Sequence, residues 1–139
     1  MPYWTLFYHV VWGTKHRLAL IDPAWEEDLY GYMRGKAAAL ECIPHAMGGM
    51  PDHIHVAISI PPKLSVATLI GQLKGASSHH VNKTYANGSF MWQAEYGVLS
   101  FSEKALSTVV AYVNNQKKHH AAKSLNVAME NITLDGIEH

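Results

Sequence analysis

His53 and His55 flank Ile54 in a run that alternates apolar and polar residues. On a β-strand, side chains two apart share a face, with Cα atoms roughly 6.5–7 Å apart, so both imidazoles can converge on one ion. The same spacing also suits two histidines on a solvated sheet face. Beyond the pair, that face carries only Ala57 and Ser59, while Ile54, Val56, Ile58 and Ile60 fill the opposite one. The small residues leave room for a ligand or a packed helix. Downstream, Tyr112 and Gln116 are four apart, one helical turn, on the flank of a stripe formed by Leu106, Val109, Val110 and Val113. A tyrosine there packs at the border of a core; a glutamine beside an apolar stripe needs a partner for its amide. Ten of the 139 residues are histidine, an excess that points to metal or phosphate chemistry. His79-His80 and His119-His120 are expected at the surface or on phosphates, with His119 on the Tyr112/Gln116 side of its helix and His120 projecting elsewhere.

The elements that must position these residues follow from pattern. The aromatic and β-branched opening run over 3–12 reads as a buried strand ended by Gly13, with a basic loop, Thr14 to Arg17, after it. Asp22 before Pro23 starts an amphipathic helix over 23–41. A short strand over 43–47, a tight turn or bulge at Gly48-Gly49-Met50-Pro51, and a strand over 52–60 follow. On a regular strand Asp52 would point away from the His53 face. Pro61-Pro62 stops that strand, and Ser65 caps a helix running to about Tyr85. Asn87-Gly88 turns into a strand over 94–101, and Ser102 caps a last helix to about Lys117. The order β-α-β-β-α-β is the ferredoxin-like α+β plan, an antiparallel sheet with two helices on one face and an additional C-terminal helix that carries Tyr112.

At 139 residues and 15.4 kDa the chain is one domain over 1–139, with a tail after about 123 that matches no pattern. Hydrophobic residues at 48% and charged residues at 16% exclude a disordered chain. No apolar run nears the ~18 residues of a membrane span, and residues 1–20 lack a signal-peptide layout. The lone Cys42 excludes an internal disulfide framework and a four-cysteine zinc site, so a cytoplasmic setting is expected. The net charge is zero, but residues 53–123 hold seven basic side chains against two acidic ones. That segment can face a polyanion. Lys15, His16 and Arg17, and Lys74 on the second helix, are expected on the phosphates of such a partner. Trp12 and Trp92 are better suited to core packing than to base stacking. No P-loop or Gly-x-Gly-x-x-Gly sequence is present, so no nucleotide cofactor is expected.

Met50-Pro51-Asp52-His53-Ile54-His55-Val56 and Tyr112-Val113-Asn114-Asn115-Gln116 together resemble the HUH single-tyrosine transposases of the insertion-sequence-200 type. The likeness extends to His9-Val10-Val11-Trp12-Gly13-Thr14-Lys15-His16-Arg17, to Leu73-Lys74-Gly75-Ala76-Ser77-Ser78, and to Trp92-Gln93 with Tyr96-Gly97, in family order up to about His120. It implies an enzyme that cuts and rejoins single-stranded, hairpin-bearing DNA at element ends, with Tyr112 as nucleophile forming a 5′-phosphotyrosine. It also implies a divalent metal, Mg²⁺ or Mn²⁺, held by His53, His55 and Gln116, three neutral ligands that leave the ion its full charge for a phosphate. A homodimer is implied as well, in which the histidine pair of one subunit can meet the tyrosine helix of the other. Two other readings compete: a domesticated relative acting on repeated palindromes, and a His-x-His metallohydrolase with a water nucleophile. The hydrolase is disfavoured because no carboxylate base is expected on the histidine face.

Overall fold

The computed structural model describes residues 4–122. In chain order these form β1 (Phe7–Gly13), α1 (Glu26–Ala39), β2 (Ile43–Met50), β3 (His53–Ser59), α2 (Val66–Val81), β4 (Gly97–Phe101), α3 (Leu106–Asn114) and α4 (Gln116–Ala122). The strands make one antiparallel sheet in the order β2-β3-β1-β4, the ferredoxin-like arrangement. β1 and β3 lie at its centre, which explains their composition: Val, Ile and aromatic side chains suit strands covered on both faces.

The two faces are filled differently. Ile54, Val56 and Ile58 of β3 and Trp12 of β1 pack in one core with Leu29 and Met33 of α1 and Leu69 and Leu73 of α2. Burying each such aliphatic side chain contributes about 1.5–3 kcal/mol before entropy is counted. On the other face Ala46 and Ala57 pack against Val109 and Val113 of α3, with Phe101 at the edge. Small residues on the strands let α3 lie close. The histidine face of β3 is therefore a dry interface and not a wetted surface; every residue of β3 is buried.

Several boundaries depart from the sequence expectation. The glycine pair is neither a turn nor a bulge: β2 runs on through Met50, with Gly48 opposite His55 and Met50 opposite His53, and the turn falls at Pro51-Asp52. The bulge of this hairpin lies earlier, between Pro44 and Ala46. A β-carbon at Gly48 would collide with the Val113 carbonyl, so Gly48 is the place where α3 touches the sheet backbone. α1 starts at Glu26 rather than at Pro23, because the Asp22 carboxylate accepts the Ala24 N–H at 2.9 Å in a turn that precedes the helix. Ser65 caps α2 as expected, accepting the Thr68 N–H at 3.0 Å. Beyond Val81 the chain widens into a π-helical turn, Asn82–Ala86, closed by Asn87 in the left-handed region at φ 46°. Ser102 makes no side-chain cap, and a short 3₁₀ turn, Glu103–Ala105, leads into α3. The last helix is not continuous: it breaks at Asn115 (φ −106°, ψ 26°), between Tyr112 and Gln116. Among the described residues no helix is long and apolar enough to cross a membrane. The tail from 123 lies outside the described residues.

Candidate active site

His53 and His55 sit at the start of β3, where register places them opposite Gly13 and Val11 of β1. Both point to the α3 side of the sheet, with their rings 5.2 Å apart. His53 is 2% and His55 0% exposed. A buried imidazole is destabilising unless its nitrogens are engaged. The His53 Nδ1–H donates to Asp52 Oδ1 at 2.7 Å, since a carboxylate offers only acceptors. His55 Nδ1 lies 2.8 Å from His9 Nε2 of β1. Both Nδ1 atoms are thus engaged. His53 Nε2 is buried and has no hydrogen-bond partner among the described residues.

Asp52 was expected to point to the opposite face. It lies in the turn before β3, where strand alternation does not yet apply, and its carboxylate folds back onto His53. Arg17 holds the other oxygen, Nη2 to Oδ2 at 3.2 Å, and passes 3.3 Å from His53 Nδ1. Burial alone would raise the Asp52 pKa; the hydrogen bond and charge of His53, then the Arg17 guanidinium, outweigh it and hold the carboxyl below its ordinary value. Arg17 reaches this place because His16 and Arg17 both take positive φ, 57° and 56°. Two successive left-handed non-glycine residues are strained by ~1–2 kcal/mol each, and the Thr14 N–H, donating to the Asp52 carbonyl at 3.0 Å, pins the loop that bears them.

Tyr112 on α3 comes to the same spot from above the sheet. Its ring is 6% exposed and meets His55 edge-on at 5.9 Å and His9 at 6.4 Å. Gln116 opens α4 and is 1% exposed; its Nε2 donates to the Tyr112 carbonyl at 3.2 Å, which links the two residues across the break at Asn115. His120 was expected to project elsewhere. Because α4 restarts after the break, Gln116 and His120 are one turn apart on its inner side, with His120 Nε2 3.2 Å from Gln116 Oε1 and its ring 5.2 Å from His53. The side chain of His119 lies outside the described residues. Lys117 fastens α4 to α1 and β2, donating to both Glu26 oxygens at 2.7 and 2.8 Å and to the Gly49 carbonyl at 3.0 Å.

His53, His55, Tyr112 and Gln116 are thus gathered within one chain. Among the described residues no three His, Cys, Asp or Glu side chains converge to hold an ion; the Gln116 amide oxygen, 3.2 Å from His120 Nε2, is a neutral oxygen donor near the pair. The solitary buried His53 Nε2 and this neutral donor set fit a divalent cation.

The residues expected on DNA are distributed differently. Lys15 and His16 are exposed. Arg17 is half-buried and engaged with Asp52. The three N–H donors of Lys74 go to the carbonyls of Gln93, Ala94 and Glu95 at 2.7, 3.2 and 3.0 Å, so this ammonium closes a loop of the protein itself. Burial pulls its pKa down to about 8, against the nearby Glu95 carboxylate. Trp12 is fully buried and Trp92 donates to Ser77 Oγ, in keeping with core roles. His80 pairs with Asp28 and stacks on Tyr32, on the α1/α2 side of the molecule. Sequence reasoning gave no role to His9, turned Asp52 away from the site and left His120 to the surface or a phosphate. A histidine inside an otherwise apolar buried strand was the available signal for His9, and the Pro51-Asp52 turn was the signal for Asp52.

The family model of IS200-like transposases matches residues 2–116, nearly all of the chain that forms this site. The chain belongs to the IS200-like transposase family. The ISDra2 transposase TnpA of Deinococcus radiodurans is 29% identical over 119 residues, 80% of this chain and 84% of that protein. The transposase for insertion sequence element IS200 of Salmonella typhimurium is 27% identical over 105 residues, 65% of this chain and 59% of that one. A crystal structure from Deinococcus radiodurans R1 superposes with a TM-score of 0.67 at 25% identity, covering 84% of this chain and 95% of its own. A REP-associated tyrosine transposase bound to a REP hairpin shares the fold, with a TM-score of 0.63 at 12% identity over 89% of this chain and 72% of that one. As an IS200-like transposase, the protein is an enzyme of DNA strand transfer.

Proposed function

We propose that this transposase cuts and rejoins single-stranded DNA at insertion-sequence ends through Tyr112, with Mg²⁺ or Mn²⁺ held by His53, His55 and Gln116. The observation that carries the reading is the Tyr112 ring edge-on to His55, whose neighbour His53 keeps a buried Nε2 with no hydrogen-bond partner among the described residues. A bound cation there polarises the scissile phosphate and offsets the charge that builds on it. The rest is done by the chain. A phenol has a pKa near 10 and is a poor nucleophile in water; the Tyr112 ring packs beside the imidazoles of His55 and His9 and would meet a phosphate held there. That oxygen attacks phosphorus as the bond to the 3′ oxygen breaks, and the 3′ oxygen leaves with the electron pair and takes up a proton. The 5′-phosphotyrosine keeps the phosphodiester linkage, so attack by a 3′-OH reverses the step and no nucleotide cofactor is required.

Lys15 and His16, exposed in the loop that bears Arg17, would contact DNA phosphates. Recognition of hairpin DNA is supported by the hairpin-bound relative of the same fold. A homodimer is supported by β4, whose outer edge faces away from β1 and whose Val98 and Leu99 are exposed. Incubation of labelled single-stranded element ends with the protein and Mn²⁺ is expected to give a covalent protein–DNA adduct that chelation prevents. Tyr112→Phe abolishes the adduct and retains DNA binding. An adduct that survives this substitution removes Tyr112 from the nucleophile role.

A further inference from the structure

His9 is a costly residue for its position. It is 1% exposed at the centre of β1, between Phe7 and Val11 on the α3 side of the sheet, where an aliphatic side chain would pack without polar atoms to satisfy. Its cross-strand partner on β3 is Ala57, which leaves space for the ring to lean diagonally toward His55. The two rings lie nearly parallel, 28° apart with centroids at 5.0 Å, and His9 Nε2 stands 2.8 Å from His55 Nδ1. The His9 ring also meets the Tyr112 ring edge to face, with centroids 6.4 Å apart.

We propose that His9 is a positioning residue for His55: its Nε2 accepts the His55 Nδ1–H, and this fixes the tautomer and the direction of the His55 Nε2 lone pair. The chemistry follows from valence. A neutral imidazole has one N–H and one acceptor nitrogen, so a histidine that ligates through Nε2 has to carry its proton on Nδ1. Asp52 imposes that state on His53, because a carboxylate can only accept. At His55 Nδ1 stands His9 Nε2, which accepts only if His9 holds its own proton on Nδ1. The two histidines are thus oriented from two different places, His53 from the hairpin turn and His55 from the middle of the sheet. The proposal deepens the metal-dependent reading of the site and rests on it for the purpose of the orientation, though not for the orientation itself.

The test uses the full chain with ¹⁵N-labelled histidine. Long-range ¹H–¹⁵N correlation of the metal-free protein is expected to show His55 as the Nδ1–H tautomer. In His9→Leu, which fills the space without an acceptor, His55 is expected to shift toward Nε2–H or a mixture. In His9→Gln, whose side-chain carbonyl can accept at similar reach, Nδ1–H is expected to return. Titration calorimetry with Mn²⁺ is expected to show an affinity about 10- to 100-fold lower in His9→Leu and within about threefold of the unaltered chain in His9→Gln. Thermal melts confirm that both variants fold; if His9→Leu does not, the tautomer in the unaltered chain and in His9→Gln still decides. His55 found as Nε2–H in the unaltered chain, or unmoved in tautomer and Mn²⁺ affinity by His9→Leu, overturns the proposal. Should His55→Ala bind Mn²⁺ as tightly as the unaltered chain, the metal reading fails while the tautomer comparison still judges His9.

Discussion

Asp52 shows how much a residue's neighbours decide. Adjacent to His53 in sequence, it was read as a strand residue aimed away from the site; as a turn residue it clamps the His53 ring and is clamped in turn by Arg17. Its contact is with Nδ1 of His53, so it acts on the ring's orientation rather than as a base toward a water. Asp52→Ala is expected to lower Mn²⁺ affinity by about tenfold or more, because outer partners of ligating histidines are worth that much. Calorimetry checks this, and an unchanged affinity would show that the carboxylate does nothing for His53. At this scale the sequence was legible where chemistry is carried by type and spacing, as for His53, His55, Tyr112 and Gln116. It was opaque where a role depends on a register or turn that only the fold sets, as for His9, Asp52 and His120.

At the scale of elements, the tyrosine helix is held by close approach more than by apolar bulk. α3 touches β2 where Gly48 has no side chain, and α4 is tied through Lys117 to Glu26 and Gly49. Gly48→Ala has to lift α3 from the sheet, so we expect a loss of about 1–3 kcal/mol in stability together with weaker adduct formation, read by denaturant melts and the DNA assay. Gly35→Ala provides the contrast: an exposed position within α1 with open space around the added carbon, where a gain of about 0.5–1 kcal/mol is expected. A Gly48→Ala protein as stable as its parent would mean that α3 is not seated on that backbone. Helices and strands were visible in periodicity and caps, Ser65 being the clearest case. The extension of β2 and the break at Asn115 were not. The glycine pair gives the same local signal whether the chain turns or another backbone approaches, and a helix broken by tertiary contacts keeps an unbroken apolar stripe.

For the whole molecule, the ferredoxin-like plan was readable because alternation and helical spacing succeeded one another in the order β-α-β-β-α-β, and two covered faces followed from strands apolar on both sides. What pattern alone left open was the state of the histidine face, which α3 turns from a surface into an interior. The sheet ends in β4, with Val98 and Leu99 exposed on a strand whose outer edge has no partner strand among the described residues. If that edge joins two copies, Leu99→Lys is expected to convert a dimer to a monomer in sedimentation velocity, since a charge on an edge strand opposes edge-to-edge pairing. A dimer that persists would place the interface elsewhere. The account as a whole turns on the phenol of Tyr112, and peptide mapping by mass spectrometry after reaction with single-stranded element DNA and nuclease trimming addresses it most directly. A nucleotide joined through its 5′-phosphate to the Tyr112 peptide is the predicted result. Cut DNA bearing an ordinary free 5′-phosphate, with no modified tyrosine peptide at any stage, would contradict it.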